Sequence, residues 1–160
     1  MSALTIRLFQ KEDLEPLVEI VKATDVFRPE EVAVARELME VAAGQPGQKD
    51  YVIYTSVDEN GIVRGYYCIG HTPMTEATYD LYWIAVDPKV HGQGVGKQLL
   101  RHSEDYIRQH GGKLVVAETS SLPKYEKTRL FYEHNHYTEA SRINDYYARG
   151  DGLVVYIKYL

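Results

Sequence analysis

The sequence has one cysteine, Cys68, in 160 residues, so no disulfide can form within the chain and packing must hold the core. Cys68 lies beside Tyr66, Tyr67 and Ile69, and reads as a buried strand thiol in a reducing compartment rather than a nucleophile. No apolar run approaches the roughly 18 residues of a membrane span, and the opening MSALTIRLFQ has no secretion-signal core. The expectation is a cytoplasmic protein with no membrane partner. A basic excess is also missing. Lys and Arg number 18 against 23 Asp and Glu, a formal charge of −5, which argues against nucleic acid held by a global positive field. There is no internal repeat and no low-complexity tract, so solenoids and disordered arrays fall away. Six histidines show no metal spacing. His134 and His136 stand two apart without a cysteine or further histidine nearby, and no metal is expected.

What is present suits one globular domain spanning residues 1–160, with 44% apolar and 26% charged residues. Leu4 to Phe9 reads as a strand. Asp13, Leu14, Leu17, Val18 and Val21 recur with helical period, and the pattern breaks at Thr24-Asp25. Pro29 suits the first position of a second helix, with Glu30 and Glu31 in its first turn, Phe27 and Val32 at hydrophobic-staple positions, and Gly44 at its end. Tyr51 to Val57 and Ile62 to His71 are strands joined by an Asn-Gly turn, and Thr78 to Val86 is a third. A helix over Gly94 to His110 leads to a buried-looking strand, Lys113 to Thr119. That crossover makes the flanking strands parallel. Tyr125 to His134 is a short helix, and Tyr137 to Tyr147 and Gly152 to Leu160 are closing strands. The last of these, LVVYIKYL, fits either an internal strand or a dimer edge. The class is α+β: a mixed, mostly antiparallel sheet with helices on both faces and one parallel strand pair.

The organising stretch is LYWIAVDPKVHGQGVGKQLL, Leu81 to Leu100. An apolar strand ends at Asp87-Pro88, three glycines follow at 92, 94 and 96, and a helix opens. Glycines let backbone N–H groups approach an anion, and a helix start adds unpaired N–H groups and a positive dipole end. Between Pro88 and Ser103 the ionisable residues are Lys89, His91, Lys97, Arg101 and His102, with no carboxylate. A phosphate-bearing ligand is the expectation. The nucleoside-triphosphate P-loop fits poorly, since His91 stands where its first glycine should be and Gln98 where its hydroxyl should be. In the dinucleotide fingerprint the third glycine would fall at Lys97. A glycine-rich loop that only turns a corner also stays open.

His91-Gly92-Gln93-Gly94-Val95-Gly96 resembles the acyl-CoA loop of the GCN5-related N-acetyltransferases (the GNAT family), (Arg/Gln)-x-x-Gly-x-(Gly/Ala), with His91 in first place. Ile84 to Pro88, IAVDP, looks like that family's strand and turn. Arg129-Leu130-Phe131-Tyr132-Glu133 looks like its last helix. The family usually follows that helix with Leu-Gly-Phe. Here Asn135-His136-Tyr137 stands instead, with Asn135 able to take the left-handed cap.

The resemblance implies acetyl-CoA as acyl donor and transfer to the amine of a small molecule or peptide. It implies that Gly92 to Lys97 cradle the pyrophosphate, and that Ile84, Ala85 and Val86 offer backbone groups to the pantetheine arm and the oxyanion. Tyr132 matches the family's general acid. Tyr125 stands where the family often has a cofactor-contacting Asn. Asp80 and Glu118 are candidate general bases, Asp80 sharing a strand face with Tyr82 and Glu118 lying on the adjacent strand. The acceptor should be shaped by the two N-terminal helices, the Thr24–Arg28 loop and Asp145-Tyr146-Tyr147 near the last hairpin. Those aromatics and the acidic chain favour a cationic amine. A non-catalytic acyl-CoA sensor, or a nucleotide binder using the same glycines, remain as alternatives, and the chain is a monomer or homodimer.

Overall fold

The computed structural model describes residues 3–160. Seven strands form one sheet: β1 (Thr5–Leu8), β2 (Val52–Val57), β3 (Val63–His71), β4 (Thr78–Val86), β5 (Leu114–Ser120), β6 (Thr138–Ala148) and β7 (Asp151–Tyr159). Their order is β1-β2-β3-β4-β5-β7-β6. Four helices accompany them: α1 (Leu14–Ala23), α2 (Pro29–Gly44), α3 (Val95–Gln109) and α4 (Glu126–His134). The pair β4–β5 is parallel, Thr78 to Leu81 against Leu114 to Ala117. The pairs β1–β2, β2–β3, β5–β7 and β6–β7 are antiparallel. The closing strand β7 is therefore internal, between β5 and β6, and β6 takes the edge. No helix among the described residues is long and apolar enough to cross a membrane.

The chain divides into two compact units. One comprises residues up to Gly70 with Trp83–Asp105, the other His71–Tyr82 with Tyr106–Leu160. In the first, strand alternation sends Ile53, Tyr66, Cys68 and Ala85 into a core with Leu17, Val18, Ile20 and Val21 of α1 and Ala35 and Met39 of α2. Tyr54 and Tyr67, paired across β2 and β3, point the other way. The Tyr67 hydroxyl lies 2.7 Å from Nδ1 of His102 on α3, so helices cover both faces here. Burial pushes the Cys68 thiol well above its usual range, as a packed core thiol requires. The entrance to α1 is tied by the Arg7 guanidinium, which donates to both Asp13 oxygens at 2.7 and 3.0 Å.

In the second unit, Tyr156, Val154 and Leu153 of β7 are buried. The ring of Tyr132 on α4 stacks on Tyr156 at 5.6 Å, so α4 covers that face. The end of α4 departs from the expectation for Asn135. The left-handed residue is His136, φ 70, whereas Asn135 has φ −100. Tyr137 N–H donates to the Tyr132 carbonyl at 3.0 Å and His136 N–H to the Glu133 carbonyl at 3.1 Å. This six-to-one and five-to-two pairing places the left-handed residue one position after the cap. Asn135 serves instead through its side chain, which donates to the Phe131 carbonyl at 2.7 Å.

Candidate functional site

The loop from β4 into α3 lies wholly in the first unit. Asp87 ends β4, and its carboxylate accepts from Lys89 N–H at 3.0 Å, starting a short 3₁₀ turn over Pro88–Val90. His91 N–H donates to the Pro88 carbonyl and Gln93 N–H to that of Val90. Gly92 and Gly94 have φ 79 and 80, and a Cβ at either would meet nothing. These glycines are present for backbone conformation rather than space. α3 opens at Val95, and its first capping bond runs from Gln98 N–H to the Gly94 carbonyl at 3.1 Å. The N–H groups of Gly92, Gly94, Val95, Gly96 and Lys97 meet no acceptor among the described residues. Gly92, Gly94 and Lys97 are exposed while Val95 is buried beneath them. An exposed loop with free N–H groups, a helix start and lysines at 89 and 97 favours a multiply charged anion.

Two side chains hold this loop. Arg64 on β3 donates from Nη1 to Asp87 Oδ2 and from Nε to Asp58 Oδ2, both at 2.9 Å, while Asp87 N–H donates to the Arg64 carbonyl at 2.7 Å. Bonds to Asp87 and then Asp58 hold the guanidinium pKa above its usual value. His91 reaches back so that Nε2 lies 2.9 Å from the Val86 carbonyl. A carbonyl only accepts, so Nε2 carries the proton. The Val86 carbonyl is thus engaged by the loop's own histidine. Behind the loop, a Cβ on Gly65 would come within 2.7 Å of the Ala85 carbonyl and 3.1 Å of Leu99 Cδ1. Gly65 is what lets β3 approach that closely. Neither Arg64 nor Gly65 was expected from the sequence. The available signal for Gly65 was a glycine inside a strand pattern; for Arg64 there was none, since Asp87 lies 23 positions away.

On the other face of the first unit, Phe27 and Trp83 pack with centroids 5.0 Å apart. Phe27 thus belongs to an aromatic contact as well as standing at the staple position before α2. The N-cap residue Arg28 uses its own Nε to bind Glu31 at 2.9 Å.

The other expected residues lie in the second unit. Tyr132 is buried, with Tyr137 and Tyr156 5.5 and 5.6 Å from its ring. Burial holds its phenol pKa far above the usual value, so the hydroxyl keeps its proton. Tyr156 donates to Glu133 Oε1 at 2.9 Å, and burial first, then that bond, pushes it up to about 12. Tyr125 is buried in the turn before α4, with Lys124 Nζ 5.5 Å from its ring. Asp80 accepts from Thr72 Oγ1 at 2.8 Å, which ties it to the β3–β4 turn. Glu118 is exposed on β5. Asp80 pairs with Val116, and Tyr156 with Ala117. Alternation therefore puts Asp80 and Glu118 on one sheet face and Tyr132, stacked on Tyr156, against the other. Among the described residues, no three of His, Cys, Asp and Glu gather to hold a metal ion.

A strand, an N–H-lined glycine loop and a helix lead into a parallel strand, and comparison with known proteins identifies the family to which that arrangement belongs. The family model of the acetyltransferase (GNAT) domain matches residues 49–139, and this chain belongs to the GNAT family. A crystal structure assigned to that family, from Desulfovibrio desulfuricans, is 35% identical over 98% of this chain and 99% of its own, with a TM-score of 0.93. The ribosomal-protein-S18-alanine N-acetyltransferase of Escherichia coli shares the fold at 19% identity and TM-score 0.77, covering 98% of this chain and 94% of its own. So does an aminoglycoside 6'-N-acetyltransferase complexed with coenzyme A, at 14% identity and TM-score 0.74, covering 97% and 96%. No curated protein sequence matches the chain.

Proposed function

We propose that this protein transfers acetyl from acetyl-CoA to a primary amine by direct attack in a ternary complex. The observation that carries the reading is the set of unmet N–H groups from Gly92 to Lys97, a cradle suited to the pyrophosphate of CoA. His91 and Gln93 frame that cradle, while Ile84, Ala85 and Val86 supply backbone to the pantetheine arm and to the oxyanion. The amine lone pair attacks the thioester carbon, a C–N bond forms, and the C–S bond breaks as the oxyanion collapses. An alkylamine with pKa near 10.4 arrives mostly protonated, so a proton must leave it. The β4–β5 ladder ends at Leu81 and Ala117, so Glu118, just beyond it and exposed, takes that proton through water from the face opposite Tyr132, while Asp80 is engaged by Thr72. The departing thiolate gains a proton from Tyr132, whose phenol burial keeps protonated. Tyr125, a buried ring where the family often has Asn, contributes an apolar wall to the cofactor's side.

The acceptor is the amine of a small molecule or of a peptide, and we assign its aromatic wall to Phe27 and Trp83. The relatives act on very different amines, one on an alanine of ribosomal protein S18 and one on aminoglycosides, so the fold alone does not select an acceptor. Release of CoA from acetyl-CoA across a panel of amines and peptides tests the activity. Calorimetric titration with acetyl-CoA, beside ATP and NAD, tests the donor. Preference for ATP or NAD would overturn the reading.

A second reading, an acyl-CoA sensor without turnover, is favoured by the capture of Asp80 in the β3–β4 turn. It expects acetyl-CoA binding without CoA release for any amine.

A further inference from the structure

The glycine loop is fastened to a turn that lies far from it in sequence. Asp58 opens the β2–β3 hairpin turn, and Asp87 opens the turn that leaves β4. The two aspartates divide their oxygens in the same way. Asp58 Oδ1 accepts from Asn60 N–H at 2.9 Å and from Ile62 N–H at 3.0 Å, while its Oδ2 accepts from Arg64 Nε at 2.9 Å. Asp87 Oδ1 accepts from Lys89 N–H at 3.0 Å, while its Oδ2 accepts from Arg64 Nη1 at 2.9 Å. Each carboxylate shapes its own turn with one oxygen and holds Arg64 with the other. The Asp58 and Asp87 side chains are 6% and 13% exposed and that of Arg64 is 20% exposed, so solvent screens these bonds less than it would on an open surface.

A guanidinium is a planar fork whose donors have a fixed spacing. Bonded through Nε to one carboxylate and through Nη1 to the other, it sets the separation of the two turns. The Arg64 main chain adds a third tie, its carbonyl accepting from Asp87 N–H at 2.7 Å. The hairpin turn is closed by its own backbone, Asp58 N–H to the Ile62 carbonyl and Gly61 N–H to the Asp58 carbonyl, both at 2.9 Å. It therefore gives the fork a firm anchor. Charge points the same way. The Asp87 carboxylate stands in the turn just before the cradle, and without a cation beside it would repel an anion there.

We propose that Arg64 is a positioning residue for the acyl donor: it fixes Asp87, and through Asp87 the turn over Pro88–Val90, so that the N–H groups from Gly92 to Lys97 are arranged for the diphosphate of acetyl-CoA before it arrives. This rests on the acetyl-CoA reading given above. The line of bonds runs from Asp58 through Arg64 and Asp87 to Lys89 N–H, and on to the Pro88 and Val90 carbonyls, which accept from His91 and Gln93 N–H. Every link lies within the first unit. A cradle arranged in advance spends less of its binding energy on ordering. Arg64 is placed at no reacting atom, so its effect falls on donor affinity and not on the chemical step.

Calorimetric titration with acetyl-CoA, on protein shown to be folded by circular dichroism, tests this in Arg64→Met and Arg64→Lys. Arg64→Met should raise Kd at least about tenfold, since both turns lose their shared partner. Arg64→Lys should raise it only about threefold, because an ammonium returns the charge but does not span two carboxylates in one fixed geometry. With an amine that the wild-type protein acetylates, kcat at saturating acetyl-CoA should stay within about twofold while KM for acetyl-CoA follows Kd. Asp58→Asn gives an independent measurement should Arg64→Met fail to fold. It releases the far end of the fork, keeps an oxygen for its own turn, and should raise Kd about threefold. Kd within about twofold of wild type in folded Arg64→Met, or in both Arg64→Lys and Asp58→Asn, overturns the proposal. So does a fall in kcat as large as the loss of affinity, which would make Arg64 a general support of the fold. A wild-type protein that does not bind acetyl-CoA overturns the donor reading itself, and the wild-type titration tells the two failures apart.

Discussion

The β4–α3 loop and the tyrosine stack around α4 are built on opposite principles. In the loop the proposed ligand contacts are backbone N–H donors left unmet, and the side chains that hold it stand behind it: Arg64, Asp58 and Asp87. In the stack the proposed proton donor is one side chain, the Tyr132 phenol, enclosed by Tyr137 and Tyr156. An anion site gains from groups whose acceptors are missing until the ligand arrives. A phenol enclosed by rings stays neutral, because burial disfavours its charged form, and it gives up a proton only as charge develops beside it. The same sheet serves both, with charge networks in one unit and ring stacking in the other.

The most severe way to break this comparison is to put a side chain into the loop. Gly94→Glu adds a Cβ at φ 80 and a negative charge among the N–H groups. It should weaken acetyl-CoA binding by about 100-fold or more by calorimetry, while circular dichroism stays native. Tyr132→Phe tests the other pole. The ring and its packing remain and the proton is lost, so kcat should fall about 10²-fold with KM for acetyl-CoA within about threefold. An unchanged kcat would assign Tyr132 to packing alone.

Acid sharpens the contrast. Burial pushes the Asp13 carboxyl up, but bonds from Arg7 and the Gln10 N–H outweigh it and hold the pKa below its usual value. A carboxyl depressed in the folded state stabilises the fold above its unfolded pKa of about 3.9, and that contribution is lost as pH falls through the lower folded value. Denaturant midpoints should therefore drop below about pH 4. Asp13→Asn should remove that part of the dependence and cost about 2–4 kcal/mol at neutral pH, because it leaves Arg7 without its partner. The smallest expected effect is in the second unit. His136 sits at φ 70, a conformation that costs a non-glycine residue about 1 kcal/mol. His136→Gly should raise stability by about 0.5–1 kcal/mol in a urea titration, with kcat unchanged.

Much of this could be read from the chain, because it rests on local signals. Alternation and the Asn-Gly turn placed β2 and β3, and the crossover helix made β4 and β5 parallel. The glycine loop was visible because three glycines and a helical repeat occur in sequence. What escaped depends on contacts between distant positions. The insertion of β7 between β5 and β6 is set by which strand buries both faces, and LVVYIKYL alone fitted two places. Arg64 and Asp87 become partners only once β3 and the end of β4 are adjacent. Asn135 was the favoured left-handed residue by intrinsic preference, yet the hydrogen bonds that close α4 fall one position later and impose that conformation on His136. Local preference yielded to the geometry of the helix end. The candidate bases and Tyr132 were each identifiable by position, but their placement on opposite faces follows from the registers of β5 with β4 and β7.

The parallel ladder also has a consequence in time. Thr78 and Leu114 are 36 positions apart, whereas Ala148 and Asp151 at the β6–β7 turn are three apart. Closing a long loop costs entropy before any contact rewards it, so the β2–β3 and β6–β7 hairpins are the natural early structures and the β4–β5 pair a late one. The strand that leads into the glycine loop thus has β3 beside it early and gains β5 on its other side late. A nascent or refolding chain should gain most of its strand content before it gains affinity for CoA. A stopped-flow experiment following circular dichroism and ligand binding together would resolve these as two successive events.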